Sequence, residues 1–269
     1  MSLGKNTKLA IAGLALAAAP VLAQASWTLE PSLTYSLYEY SPEAGGSYDG
    51  GLGLLNLEFE MEDGMGNFHR AWISHSVYDD VSDMDVTLTQ AVYRIGKYYY
   101  PKAEPTDFSI WTGIGYWELE RKWDDALYHV EVEGGVMVTE TQREDKYLYL
   151  PIGLEYATPI DNRGSWPEGF GAQRNHHHFF VMGLEANLLL VSRGYGKGVP
   201  LGDEEVSGRD SIGYSWRQSS GYGYRLWLGY DYRWSDDRVL TTSVEYQAWD
   251  VSDVADTSLW TFNLGLRFM

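Results

Sequence analysis

Residues 26–37 read Ser-Trp-Thr-Leu-Glu-Pro-Ser-Leu-Thr-Tyr-Ser-Leu, and the order of their polarity decides the fold. Trp27, Leu29, Pro31, Leu33, Tyr35 and Leu37 occupy the odd positions, with Thr28, Glu30, Ser32, Thr34 and Ser36 between them. Successive side chains of a strand point to opposite faces, so this stretch has one apolar face and one polar face. The same period returns at Leu55, Leu57, Phe59 and Met61 against Asn56, Glu58 and Glu60, and at Met84, Val86 and Leu88 against Asp85, Thr87 and Thr89. It recurs over residues 148–156, 180–190, 222–232 and 240–248.

A soluble sandwich also alternates, because one face of each sheet packs the core. What separates a membrane barrel is a run of ~10-residue alternating segments with aromatics towards their ends and a polar face rich in Gly, Ser, Thr and charge. The 21 Tyr and 11 Trp gather near segment ends, at Tyr38, Tyr40, Tyr98, Tyr99, Tyr100, Trp234 and Trp249, where amphipathic rings suit the headgroup level. The last residues carry the same signature. Trp260, Phe262, Leu264, Leu266 and Phe268 share one face, opposite Thr261, Asn263, Gly265 and Arg267. This end resembles the C-terminal strand that outer-membrane proteins present to their insertion machinery, which is therefore an expected partner; Met269 follows the terminal aromatic, a departure from that pattern. The expected fold class is all-β, an antiparallel up-and-down transmembrane barrel of about ten strands.

Lys5 and Lys8 precede an apolar run from Leu9 to Leu22 that is too short for a comfortable membrane anchor, and Ala23-Gln24-Ala25 follows. That order is the secretory signal pattern, so residues 1–25 are expected to be a cleaved signal peptide and residues 26–269 the barrel domain. Removing the two lysines leaves 18 of the 20 basic residues against 38 acidic ones, a formal charge of −20, which disfavours nucleic acid as a partner. With no Cys in an exported chain, stability must come from burial and strand pairing.

Turn residues between the alternating runs place strands near 27–40, 50–61, 68–78, 84–95, 107–120, 146–158, 177–192, 212–234, 239–250 and 258–269. With both termini in the periplasm, the tight connections Glu62-Asp63-Gly64 and Ser235-Asp236-Asp237 fall inside, and the long ones, 41–49, 121–145 and 193–211, fall outside. The stretch from Pro159 to Asn175 is the exception, a long connection on the periplasmic side.

A barrel of this size is filled largely by side chains. The expected lumen network is Glu30, Glu58, Glu155, Glu185, Arg225, Glu245 and Arg267, paired so that free passage is blocked. The surplus carboxylates also allow a narrow cation-preferring path. His176-His177-His178 is a weak metal candidate because consecutive strand residues diverge, and His75-Ser76 fails as a nucleophile and base for the same reason. Neither metal nor cofactor is expected. Outer acidic groups, with Asp83, Asp85, Asp203, Glu204 and Glu205 as the ligand candidates, form a rim suited to lipopolysaccharide and its bridging divalent ions.

The ten-strand layout with long outer loops resembles the omptin outer-membrane proteases. In that family an acidic pair follows the third strand and an Asp-x-His pair the seventh. Here Asp83-Met84-Asp85 matches the first, whereas Asp203-Glu204-Glu205 stands at the second with no histidine from Ser192 to Tyr214. The resemblance thus implies the scaffold and lacks the general base that water activation needs. A non-enzymatic barrel whose outer loops bind a ligand or partner is the leading reading, with a hydrolase acting on peptide or lipid as the alternative. In the latter, only His129 and His75 stand near enough in the chain to serve as base.

Overall fold

The computed structural model describes residues 26–41, 48–81, 84–99, 107–123, 128–132, 136–160, 178–200, 212–217, 221–235, 237–251 and 256–269. The strands are β1 (Ser26–Ser41), β2 (Tyr48–Glu62), β3 (Asn67–Val81), β4 (Met84–Tyr99), β5 (Asp107–Trp123), β6 (Tyr128–Val132), β7 (Val136–Pro159), β8 (His178–Pro200), β9 (Ile212–Trp216), β10 (Gly221–Ser235), β11 (Arg238–Val251) and β12 (Asp256–Phe268). All pairings are antiparallel, and β1 pairs with β12, Leu33 opposite Leu264, so the first and last strands close the wall. With β7 paired to β8, the ring is β1-β2-β3-β4-β5-β7-β8-β10-β11-β12, a closed barrel of ten. Closure leaves no open edge, which is what a sheet needs inside lipid.

The two short strands extend the wall. Lys122 of β5 pairs with Gln142 of β7, and Tyr128 of β6 then pairs with Glu140, so β6 continues the line of β5 along β7. In the same way β9 continues the line of β10 along β8. The segment read from sequence as one strand over 212–234 is therefore two strands in line. Within the connections expected over 121–145 and 193–211, residues 121–123, 128–132, 136–145 and 193–200 are strand. β7 has 24 residues and β8 has 23, and at ~3.3 Å per residue and a tilt of ~40° such strands rise roughly 60 Å, about twice the hydrocarbon thickness.

The start of β1 at Ser26 and the end of β12 at Phe268 lie at one end of the barrel with the β2–β3 and β10–β11 turns; this is the near end, and the extended strands rise from the far end. In the β2–β3 turn the Asp63 carboxylate accepts hydrogen bonds from Met65 N (2.9 Å), Asn67 N (2.8 Å) and Asn67 Nδ2 (2.7 Å). Gly66 completes that turn at φ 82°, a left-handed conformation that side chains strain.

Around the middle, the outward positions are exposed and apolar: Leu33, Leu57, Ile114, Leu184, Leu226 and Leu264 among them. Exposed aromatics bound this belt, with Trp27, Tyr99, Tyr232 and Trp234 towards the near end and Tyr35, Tyr78, Tyr224 and Trp260 towards the far end. Along β10, Tyr232 and Tyr224 are eight residues apart, which at that rise and tilt is roughly 20 Å, the height of a barrel's lipid-facing band.

Beyond the belt the polarity of the wall inverts. Outward positions there carry Asp85, Glu118, Glu120, Lys122, Glu144, Lys146, Arg193 and Lys197, cross-linked by Lys146–Glu118 (3.2 Å) and Lys146–Glu144 (2.8 Å). Inward positions carry the apolar core. Met84, Val86 and Leu88 are 1–2 % exposed and point inside, so the apolar face of this strand meets protein and not lipid as the alternation alone implies. On β8 the change of face takes one residue. Tyr149 pairs with Leu189 and Leu148 with Val191, so Leu190 is a bulge, and inward positions pass from 185, 187 and 189 to 192, 194, 196 and 198.

Candidate functional site

In the near half, the lumen is lined by charges to which every stave contributes. Arg94 Nε of β4 lies 2.7 Å from Glu185 Oε2 of β8, with both side chains almost wholly buried, and Trp111 Nε1 of β5 donates to the same oxygen at 3.0 Å. Arg225 donates to Glu245 at 2.6 Å, its guanidinium held between the Trp72 ring (5.1 Å) and the Trp227 ring (5.4 Å). Arg267 bridges Glu30 (2.7 Å) and Asp231 (3.1 Å), and Thr241 Oγ1 donates to Glu30 at 2.6 Å. Arg70 meets Glu60 at 2.6 Å, Glu58 at 3.5 Å and Glu155 at 3.8 Å, while Tyr98 accepts from Arg70 and donates to Glu60. Desolvating such ions is costly, and only this mutual pairing with hydrogen-bond saturation offsets it. Between them lies a cavity of about 320 Å³ that reaches the near end at Thr28, Glu62 and Asp107.

The far half is closed by a different device. Tyr38, Leu52, Val86, Trp117, Leu119, Tyr147 and Trp249 pack into one buried cluster across the bore. Trp117 stacks on Tyr147 with centroids 4.8 Å apart and planes 5° apart, and Tyr149 meets Trp249 edge-on at 5.0 Å. Above this layer Arg121, fully buried, donates to Tyr38 Oη and Asp145 Oδ2, both at 2.8 Å, and lies 4.1 Å over the Tyr40 ring. Arg143 joins the same Asp145 at 3.1 Å and covers the Trp216 ring at 4.6 Å, and Tyr214 donates to the buried Glu140.

The residues named from the sequence divide cleanly. Glu30, Glu58, Glu155, Glu185, Arg225, Glu245 and Arg267 all face the near-half lumen. Asp85 is exposed on the outer surface of β4, and His75 is exposed on the outer surface of β3 with Nδ1 2.8 Å from Thr89 Oγ1. Asp83, Asp203, Glu204, Glu205, His176 and His177 lie outside the described residues, as does the side chain of His129 and the whole of residues 1–25. His178 lies against Tyr230 and Tyr232. Among the described residues no three His, Asp or Glu side chains converge as a metal site requires.

Reading by period missed Arg70, Arg94, Glu60 and Asp231, and with them Arg121, Arg143, Asp145 and Glu140 of the far half. One signal was available. Arg94 has the parity of Met84, Val86 and Leu88, so assigning that face to lipid would have placed a guanidinium in hydrocarbon.

No family model matches the chain, and no curated protein does. Among solved structures, the outer membrane protease OmpT from Escherichia coli superposes with a TM-score of 0.53 at 8% identity, over 90% of this chain and 96% of that one. The chain has the fold of an outer-membrane β-barrel. The translocator domain of the autotransporter NalP from Neisseria meningitidis gives a TM-score of 0.48 at 7% identity, over 98% of this chain and 96% of its own. This outer-membrane barrel of ten strands therefore shares the fold of OmpT with almost no shared sequence, and its exposed apolar belt seats it in a membrane.

Proposed function

We propose that this protein is a closed outer-membrane barrel that binds a ligand or partner at the cell surface, with the far end outside the cell and the termini in the periplasm. The orientation follows from the tight β2–β3 and β10–β11 turns at the near end and the long strands at the far end, the usual asymmetry of such barrels. The observation that carries the reading is the apolar and aromatic layer across the far half of the bore. A path for ions needs water or polar groups throughout, and the stacked Trp117 and Tyr147 supply neither. What remains for function is the tall wall of β6 to β9, with the acidic residues Asp83, Asp203, Glu204 and Glu205 of the sequence as the ligand candidates.

Purified protein in planar bilayers tests this. The reading expects no steady conductance from the native barrel and openings from a Trp117→Ala, Trp249→Ala variant; steady conductance from the native protein overturns it. A hydrolase is the rival. OmpT shares the layout, but layout does not carry activity. Asp85 and His75, both on the outer surface of the wall, do not form a cleft. Turnover of a peptide library that Asp85→Ala or His75→Ala abolishes, with the barrel still folded, would replace binding with hydrolysis.

A further inference from the structure

Three carboxylates share the single guanidinium of Arg70. Glu60 holds it at 2.6 Å, so Glu58 at 3.5 Å and Glu155 at 3.8 Å receive its charge at longer range from a group already committed; Glu155 has in addition a neutral donor, Trp227 Nε1 at 3.0 Å. Both of the latter retain some access to the cavity, with side chains 24% and 19% exposed. An excess of negative charge in so confined a place calls for a further cation or for protonation.

Two buried acceptors stand beside these carboxylates without a partner among the described residues. Ser109 Oγ, on a residue 1% exposed, is directly across from Glu155 in the β5–β7 register. Asn56 Oδ1, on a residue 8% exposed, shares the inward face of β2 with Glu58 two positions on. Both residues line the cavity, as do the indoles of Trp72, Trp111 and Trp227. Buried polar atoms are almost always satisfied; the unmet Asn56 Oδ1 can only accept and the Ser109 hydroxyl can accept as well as donate, so beside two carboxylates short of positive charge both fit a cationic donor.

We propose that this cavity binds a linear organic cation carrying two or more primary ammonium groups, entering from the near end. An ammonium is a compact charge with three donors and no acceptor, which suits a carboxylate flanked by a hydroxyl or amide oxygen. Glu58 and Glu155 come from β2 and β7, so two anionic positions call for two charges on one ligand, and the indole walls suit the methylenes between them. A divalent metal is the poorer fit, because no described group of three ligating side chains converges. The volume, about 320 Å³, is in the range of small-molecule sites. The inference is independent of whether the bore conducts.

Titration calorimetry of the full-length protein, refolded in detergent, with spermidine as probe and magnesium chloride as comparison, tests it. The expected result is saturable binding of spermidine, weakened roughly tenfold by Glu58→Gln and again by Glu155→Gln, as loss of a charge-assisted hydrogen bond implies. The outer-surface variant Glu118→Gln, Glu120→Gln should bind as the native protein does. Heat-modifiable migration on gels checks that each variant is folded, and if the double variant does not fold, Ser109→Ala, which removes an acceptor without changing charge, takes its place. Absence of saturable binding, equal binding of magnesium, or weakening by the outer-surface variant alone would overturn the proposal.

Discussion

Arg94 and Glu185 meet at 2.7 Å across the lumen, on strands three places apart around the ring, and both side chains are almost wholly buried. Their pairing therefore tethers the barrel across its interior as well as around its wall. Removing one partner leaves an uncompensated buried charge. Glu185→Ala should cost about 3–5 kcal/mol in urea unfolding from detergent, whereas Arg94→Leu with Glu185→Leu should recover most of that loss. Equal losses for the single and double variants would show that the pair is not coupled.

Depth along β8 provides a second test. Leu184 faces outward in the middle of the belt, so Leu184→Arg should destabilise by about 2–4 kcal/mol in a bilayer unfolding assay. Tyr195 faces outward beyond the bulge, among Arg193 and Lys197, and Tyr195→Arg should cost less than about 1 kcal/mol. Glu185→Arg is inward but sets a second guanidinium beside Arg94, so it should cost more than either. A lumen position is thus not automatically a tolerant one.

The far-half layer should behave as a packed core and not as a lipid-facing surface. Trp117 is fully buried against Tyr147 and Trp249, and Trp117→Ala should cost about 3–5 kcal/mol through lost contacts and the cavity left behind. Trp260, exposed on the outer surface, should cost less on the same change. Denaturant titration of the two variants side by side decides it.

Much of the architecture was legible because the two-residue period is a direct consequence of strand geometry, and turns break it visibly. Period gives two faces but does not say what each one meets. For Leu33 and Leu264 the apolar face meets lipid; for Val86 and Leu88 it meets Trp117 and its neighbours, since past the belt the surrounding medium is water. Pairing was legible only in part. Arg225 and Glu245 pair within one hairpin, β10–β11, but the partner of Glu185 is Arg94, three strands away, a contact fixed by the closed ring, which a linear pattern does not contain.

The β2–β3 turn carries a pH dependence outside the membrane. Hydrogen bonds from Asn67 and Met65 hold the Asp63 carboxyl below the ordinary carboxylate range. A group whose folded value is depressed lends its stability above its unfolded value, about 3.9, and loses it as pH falls through the folded value. The contribution should therefore be full above about pH 4 and fade below it, and Asp63→Asn should lack that acid-side loss. A carboxyl NMR titration reads the shift directly; an ordinary value at Asp63 would refute it. Gly66→Ala, at the same turn, should cost about 1 kcal/mol at every pH.

The single extra residue at Leu190 makes β8 answerable to two solvents with opposite demands. Below it the strand is written for oil outside and charge inside; above it, for water outside and rings inside. An unbroken two-residue period carried through Leu190 would turn Arg193 and Lys197 into the interior and leave Gly194 and Gly196 to face water; the bulge prevents this by setting Leu190 and Val191 both outward. The boundary between membrane and exterior is thus encoded in this strand as a phase shift, one residue long.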